Sequence, residues 1–113
     1  MRSNIKLIKL DKKKTLNSNS TYLYIFQKIK NIKFVVKRIY FHDYKKKHRI
    51  TNKINNSDSI FIPISGVLNF SINKKKIILK KKNALLIKKN VKFDLVSIKS
   101  YFIVLANKDY QSK

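Results

Sequence analysis

Residues 57–73 read SDSIFIPISGVLNFSIN, and this stretch decides how the rest of the chain is understood. Ile60, Ile62 and Ile64 share one parity, with Phe61 and Pro63 on the other; Leu68, Phe70 and Ile72 then alternate with Val67, Asn69 and Ser71. Apolar residues at every second position fit a pleated strand with one buried face. Gly66 is the sole glycine of the chain. Glycine accepts the positive φ that tight reversals need, so the stretch reads as strand, turn, strand, with the chain reversing at Gly66. On this reading Ser57–Asn73 is a hairpin at one edge of a small all-β barrel, with Phe61 or Ile62 in the core.

The flanking segments agree with an all-β domain. Asn4–Leu10 alternates and predicts a first strand, followed by a polar loop over Asp11–Ser20. Thr21–Ile29 is rich in β-branched and aromatic residues and predicts a second strand; Phe34–Phe41, FVVKRIYF, predicts a third. The aromatics of that third strand suit either a core or a base-stacking platform. His42–Asn56 has no clean period and reads as a basic loop, with His42 in it, leading to a strand near Arg49–Lys53. Ile77–Leu79, Ala84–Ile87, Val91–Ile98 and Tyr101–Ala106 predict four more short strands, with turns at Lys88–Asn90 and Lys99–Ser100. Many short strands at close spacing, without any long helical period, point to a sandwich or barrel.

Composition bounds the function. With 113 residues the chain is one domain, 1–113, able to build a single core. It has no cysteine, so disulfides are excluded. No apolar run is long enough to span a bilayer, and MRSNIKLIKLDKKK is broken by Lys6 and Lys9, so a cytoplasmic, non-membrane protein is expected. The five acidic residues are dispersed and no cluster has metal-ligand spacing, so neither metal nor cofactor is expected. The formal net charge is +23, carried by 25 Lys against 3 Arg. Lys, Ile and Asn together make 54 of the 113 residues, which fits a composition bias as well as a polyanion-binding surface. In either case non-specific attraction to nucleic acid at low salt follows from the charge.

FVVKRIYF, a basic loop, SIFIPISGVLNFSI, KNALLIKKNVKFDL and YFIVLANKDY occur in the order seen in the nucleotide-sugar 3,4-ketoisomerases, small cupins also called WxcM-like domains. The chain resembles that family over nearly its whole length. The resemblance implies a cupin-like double-stranded β-helix (a jelly-roll barrel) that forms a homodimer, with a nucleotide-linked 6-deoxy-4-keto sugar as ligand. It implies conversion of dTDP-4-keto-6-deoxyglucose to a 3-keto sugar for surface polysaccharides. Moving a proton from C3 to C4 requires a base and an acid that titrate near neutral pH, which favours histidine.

The family pattern R-G-x-H-A-H-K, laid on residues 47–53 with Lys53 last, places its two histidines at Ile50 and Asn52. Neither side chain exchanges a proton near neutral pH. The arginine and glycine of the motif fall on Lys47 and His48, the early D-x-R-G motif on Ser18–Thr21, the glutamine before the central strand on Ser59, and a later W-H pair on Lys92 and Phe93. Retained are Arg38, Tyr40, Gly66, Leu105, Ala106 and Tyr110. The resemblance therefore implies a divergent or inactive member whose sugar-binding residues are Arg38, Lys47, Asn52, Lys53 and Ser59. His48 shares parity with Ile50 and Asn52, so a regular strand makes it a displaced base, with Tyr40 as acid or donor; the alternative is an exposed loop histidine. The competing class is a small basic β-barrel that binds nucleic acid non-specifically.

Overall fold

The stretch expected to form a hairpin is instead one continuous strand, Ser59–Ile72 (β6), in the computed structural model, which describes residues 5–9, 11–14, 22–25 and 36–107. The other strands are β1 (Ile5–Lys9), β2 (Asp11–Lys14), β3 (Tyr22–Ile25), β4 (Arg38–Tyr44), β5 (His48–Ile54), β7 (Lys75–Leu79), β8 (Asn83–Ile87) and β9 (Lys92–Ala106). All pairing is antiparallel, and the described residues form no helix. The all-β, cupin-like expectation holds. The hairpin does not: β6 lies inside the seven-stranded sheet, between β8 and β9, rather than at its edge.

Two long strands carry the architecture. β9 merges the two strands expected over Val91–Ile98 and Tyr101–Ala106 into 15 residues. β6 and β9 pair along their whole length, from Ser59↔Ala106 to Ser71↔Asp94. Their first-half and second-half partners differ. Residues 59–61 of β6 pair with β8 and residues 68–72 with β7; the end of β9 pairs with β4 and its start with β5. Each long strand thus belongs to two sheet halves, β1-β8-β6-β9-β4 and β7-β6-β9-β5, and bends between them.

The bend falls where the sequence placed a turn. Gly66 has φ 77°, Lys99 has φ 44°, and the β6–β9 register shifts between Pro63, Ser65 and Val67. Irregular pairing is where proline is tolerated within a sheet, since Pro63 cannot donate to the ladder. Ser97 and Ser100, both buried at the same seam, hydrogen-bond to each other through their hydroxyls. Gly66 was thus correctly singled out for a positive φ, but that φ serves a bulge and not a reversal.

The concave face of both halves holds the core: Phe61, Leu68, Phe70, Ile72, Leu79, Leu85, Ile87, Phe93, Leu95, Phe102 and Val104. Phe61 is accordingly a core residue, as expected. Each such side chain contributes roughly 1.5–3 kcal/mol relative to exposure. β8 is apolar on both parities because its other face, with Ala84 and Leu86, packs with Ile60 in a second cluster on the outer side. The strand Phe34–Phe41 is shifted toward the C-terminus: β4 runs to Tyr44, so His42 is a strand residue and not a loop residue. β2 likewise falls within the expected loop Asp11–Ser20. The motif positions Ser18–Thr21, part of the second strand and Tyr110 lie outside the described residues.

Buried Asn55 closes one end of the core. Its Nδ2 donates to the carbonyls of Ile87 (2.8 Å) and Lys88 (3.3 Å), and its backbone N–H donates to Val91 O (2.9 Å). Removing the side chain leaves two acceptors at the end of β8 unpaired. Asn55→Ala should therefore cost about 1–3 kcal/mol, read as a lower urea midpoint at unchanged m-value.

Candidate functional site

β4 and β5 both pair with β9, on its two halves, and are edge strands of the two sheet halves. Cross-strand partners share a face. In β4, Tyr40 lies opposite Val104 and His42 opposite Phe102, both core residues, so Arg38, Tyr40, His42 and Tyr44 form one row on the concave face. In β5, Ile50 lies opposite Leu95 and His48 opposite buried Ser97, which places His48 on the same face. The side of the barrel between β4 and β5 is therefore lined by polar and aromatic groups.

Four rings, Phe102, His42, Tyr44 and His48, make a continuous stack there. The His42 ring lies 4.8 Å from that of Phe102 with 15° between planes. Tyr44 stacks on His48 at 4.2 Å and 11°, and its hydroxyl lies 3.5 Å from His42 Nδ1. The Arg38 guanidinium sits 5.9 Å from the Tyr40 ring centre, a cation–π approach. Half-buried His42 is held below the usual histidine value of 6.5, chiefly by burial and then by the charge of His48. It is thus neutral at pH 7 and able to accept a proton. His42 was missed because the strand was ended at Phe41; the alternation Arg38, Tyr40, His42, Tyr44 was the signal for it.

The remaining expected residues are dispersed. β5 is not regular: its register with β9 shifts between Ile50 and Lys53, and Asn52 has φ 52°. Thr51 and Asn52 together oppose Asp94, whose Oδ1 accepts the Asn52 N–H at 2.7 Å. Asn52 therefore does not share the register of His48 and Ile50; Lys53 does, opposite core Phe93. Ser59 is buried, its hydroxyl shared between Asn55 Oδ1 (3.3 Å) and Ser57 O (3.1 Å). Phe93 packs against Phe61 and Phe70, at centroid distances of 5.8 and 5.9 Å, where the family pattern has its later histidine. Among the described residues no group of three His, Cys, Asp or Glu side chains is placed to hold a metal.

Lys47 lies elsewhere. It lines a groove of about 420 Å³ on the outer face of the β7-β6-β9-β5 half, with Arg49, Lys76, Asp94, Val96 and Ile98.

No protein-family model matches the chain, and no curated protein matches it. Solved structures do. A 3,4-ketoisomerase from Helicobacter canadensis is 26% identical with a TM-score of 0.76, over 98% of this chain and 88% of that one. The TDP-fucose-3,4-ketoisomerase from Campylobacter jejuni is 27% identical with a TM-score of 0.70, over 96% of this chain and 85% of that one. A histidine-to-asparagine mutant of the 3,4-ketoisomerase from Thermoanaerobacterium thermosaccharolyticum, in complex with TDP-4-keto-6-deoxyglucose, shares the fold at 19% identity and a TM-score of 0.68, over 99% and 86%. The barrel is that of the cupin-type sugar ketoisomerases. Over nearly its whole length the chain is similar to nucleotide-sugar 3,4-ketoisomerases.

Proposed function

We propose that this chain binds a nucleotide-linked 4-keto-6-deoxy sugar on the concave side between β4 and β5, and that it is a divergent member with little 3,4-ketoisomerase activity. The observation that carries the reading is a polar row on β4, the retained Arg38 and Tyr40 with His42 and Tyr44, facing a β5 that has Ile50 and Asn52 at the motif's two histidine positions. The crystallisation of a structural neighbour with TDP-4-keto-6-deoxyglucose supports the ligand class. Lys53 supplies charge suited to a diphosphate. The protein acts as a cytoplasmic homodimer; exposed Ile39 and Phe41, on the outer face of edge strand β4, fit a subunit contact. No helix among the described residues is long and apolar enough to cross a membrane.

A thermal-shift series tests the ligand. TDP-4-keto-6-deoxyglucose and TDP should raise the melting temperature in a concentration-dependent way, because a ligand that binds only the native state stabilises it. No shift with either would overturn the reading.

A second reading rests on the outer groove, where Lys47, Arg49 and Lys76 flank exposed Ile78 and Ile98. Phe70, its one aromatic lining residue, is buried, so bases have no ring to stack on. Oligonucleotide binding should then be through phosphates, independent of sequence, and fall steeply as salt rises from 50 to 200 mM. Tight binding of one preferred sequence at high salt would instead establish a nucleic-acid-binding protein.

A further inference from the structure

We infer that His42, positioned by Tyr44, is the proton-transfer group of this barrel, moved from β5 to β4, and that it exchanges the sugar hydrogen next to the ketone with solvent. The inference rests on the proposed sugar site and adds a reaction to it. Three observations carry it. His42 lies on the concave face in the same row as Arg38 and Tyr40. Its ring is fixed flat against Phe102, a fully buried side chain. Its Nδ1 lies at the Tyr44 hydroxyl, whose ring is itself held by His48.

With Nδ1–H donating to the Tyr44 oxygen, the free lone pair is on Nε2. Nε2 takes the proton from C3 of a 4-keto sugar; the C3–H electron pair becomes the C3=C4 bond of an enediolate, and the carbonyl π pair moves to the C4 oxygen. The Tyr40 hydroxyl, on the same row, is the donor available to that oxygen. The imidazolium then exchanges its proton with water and returns a solvent proton to C3. Substrate is regenerated, and no oxidant or cofactor is needed. The net 3,4 shift requires in addition an acid delivering to C4, the second role in the two-histidine motif. One imidazole on β4 supports exchange without requiring isomerisation.

The ionisable groups facing His42 among the described residues are Arg38, Tyr40 and Tyr44 from its own strand and His48 from β5. Because burial and His48 both lower the His42 pKa, the base form is present at pH 7, and the exchange rate should fall as pH drops through a value below 6.5.

The test is loss of the C3 proton signal of TDP-4-keto-6-deoxyglucose in D2O by NMR, with binding followed in parallel by thermal shift. Unmodified protein should exchange C3 faster than buffer alone, and His42→Gln should lower the catalysed rate about 10²–10⁴-fold while the thermal shift persists. Tyr44→Phe, which keeps the stack on His48, should move the pH profile of exchange. A thermal shift without exchange above buffer overturns this inference and leaves the sugar site standing. Exchange that survives His42→Gln but is abolished by His48→Ala reassigns the base and overturns it. Absence of any thermal shift overturns both the sugar site and the exchange.

Discussion

Given TDP-4-keto-6-deoxyglucose, the purified protein should form the 3-keto sugar about 10²–10⁴-fold more slowly than a family member that keeps both histidines, the usual contribution of positioned acid–base groups. Ile50 cannot titrate at all. Asn52 can hydrogen-bond but not exchange a proton near neutral pH. Neither defect is repaired simply. Sequence parity suggests that Ile50→His with Asn52→His would place two imidazoles side by side on one face. The irregularity in β5 prevents this, because Asn52 lies opposite Asp94 with φ 52° while Ile50 lies opposite Leu95. The double variant should therefore stay near the parental rate, measured as product by NMR after hours of incubation. Recovery to within about tenfold of an active relative would show that β5 can straighten when histidines are present.

Gly66→Ala should unfold the protein more readily than any surface change. A Cβ at residue 66 would lie 2.6 Å from Lys99 O, 2.7 Å from Ser100 Cα and 2.8 Å from Ser100 Cβ. The nearest atoms are backbone, so no side chain can swing away. The φ of 77° adds a left-handed penalty of roughly 1–2 kcal/mol for any residue with a Cβ. Relieving the clash has to part β6 from β9 at their shared bend. A total on the order of 3 kcal/mol is expected, lowering the melting temperature by roughly 10–20 °C. A change below about 3 °C would mean that the bend shifts freely.

The sequence revealed periodicity well and continuity poorly. Alternation identified the core parity of Leu68, Phe70 and Ile72 and of Val91, Phe93 and Leu95, because burial on one face of a strand leaves a period of two. It set Ile60, Ile62 and Ile64 in one row, where Phe61 and Pro63 are the buried residues beside Ile60, and it gave no parity to Tyr101–Ala106. It could not tell a bend from a reversal at Gly66. Both need a positive φ, and only the distant Lys99–Ser100 backbone decides between them. The same limit divided β9 at Lys99. In the candidate site, Arg38 and Tyr40 were legible as part of an aromatic strand. His42 was not, since Asp43, Tyr44 and three lysines after it read as loop chemistry. The displacement of Asn52 left no local mark either; it arises from one extra residue in β5 opposite Asp94.

Because β6 and β9 run through both halves of the seven-stranded sheet, neither half of that sheet is built from a local stretch of chain. Neither half can form until distant residues of β6 and β9 have met, Ser71 with Asp94 in one half and Ser59 with Ala106 in the other. The intervening chain must be closed into a loop before those contacts give any return. Such non-local pairing makes for slow folding, in the millisecond-to-second range typical of β barrels. It also ties the concave site to the whole: loosening the seam at Gly66 removes the strand to which both β4 and β5 are attached, so the site and the fold are lost together in one cooperative step.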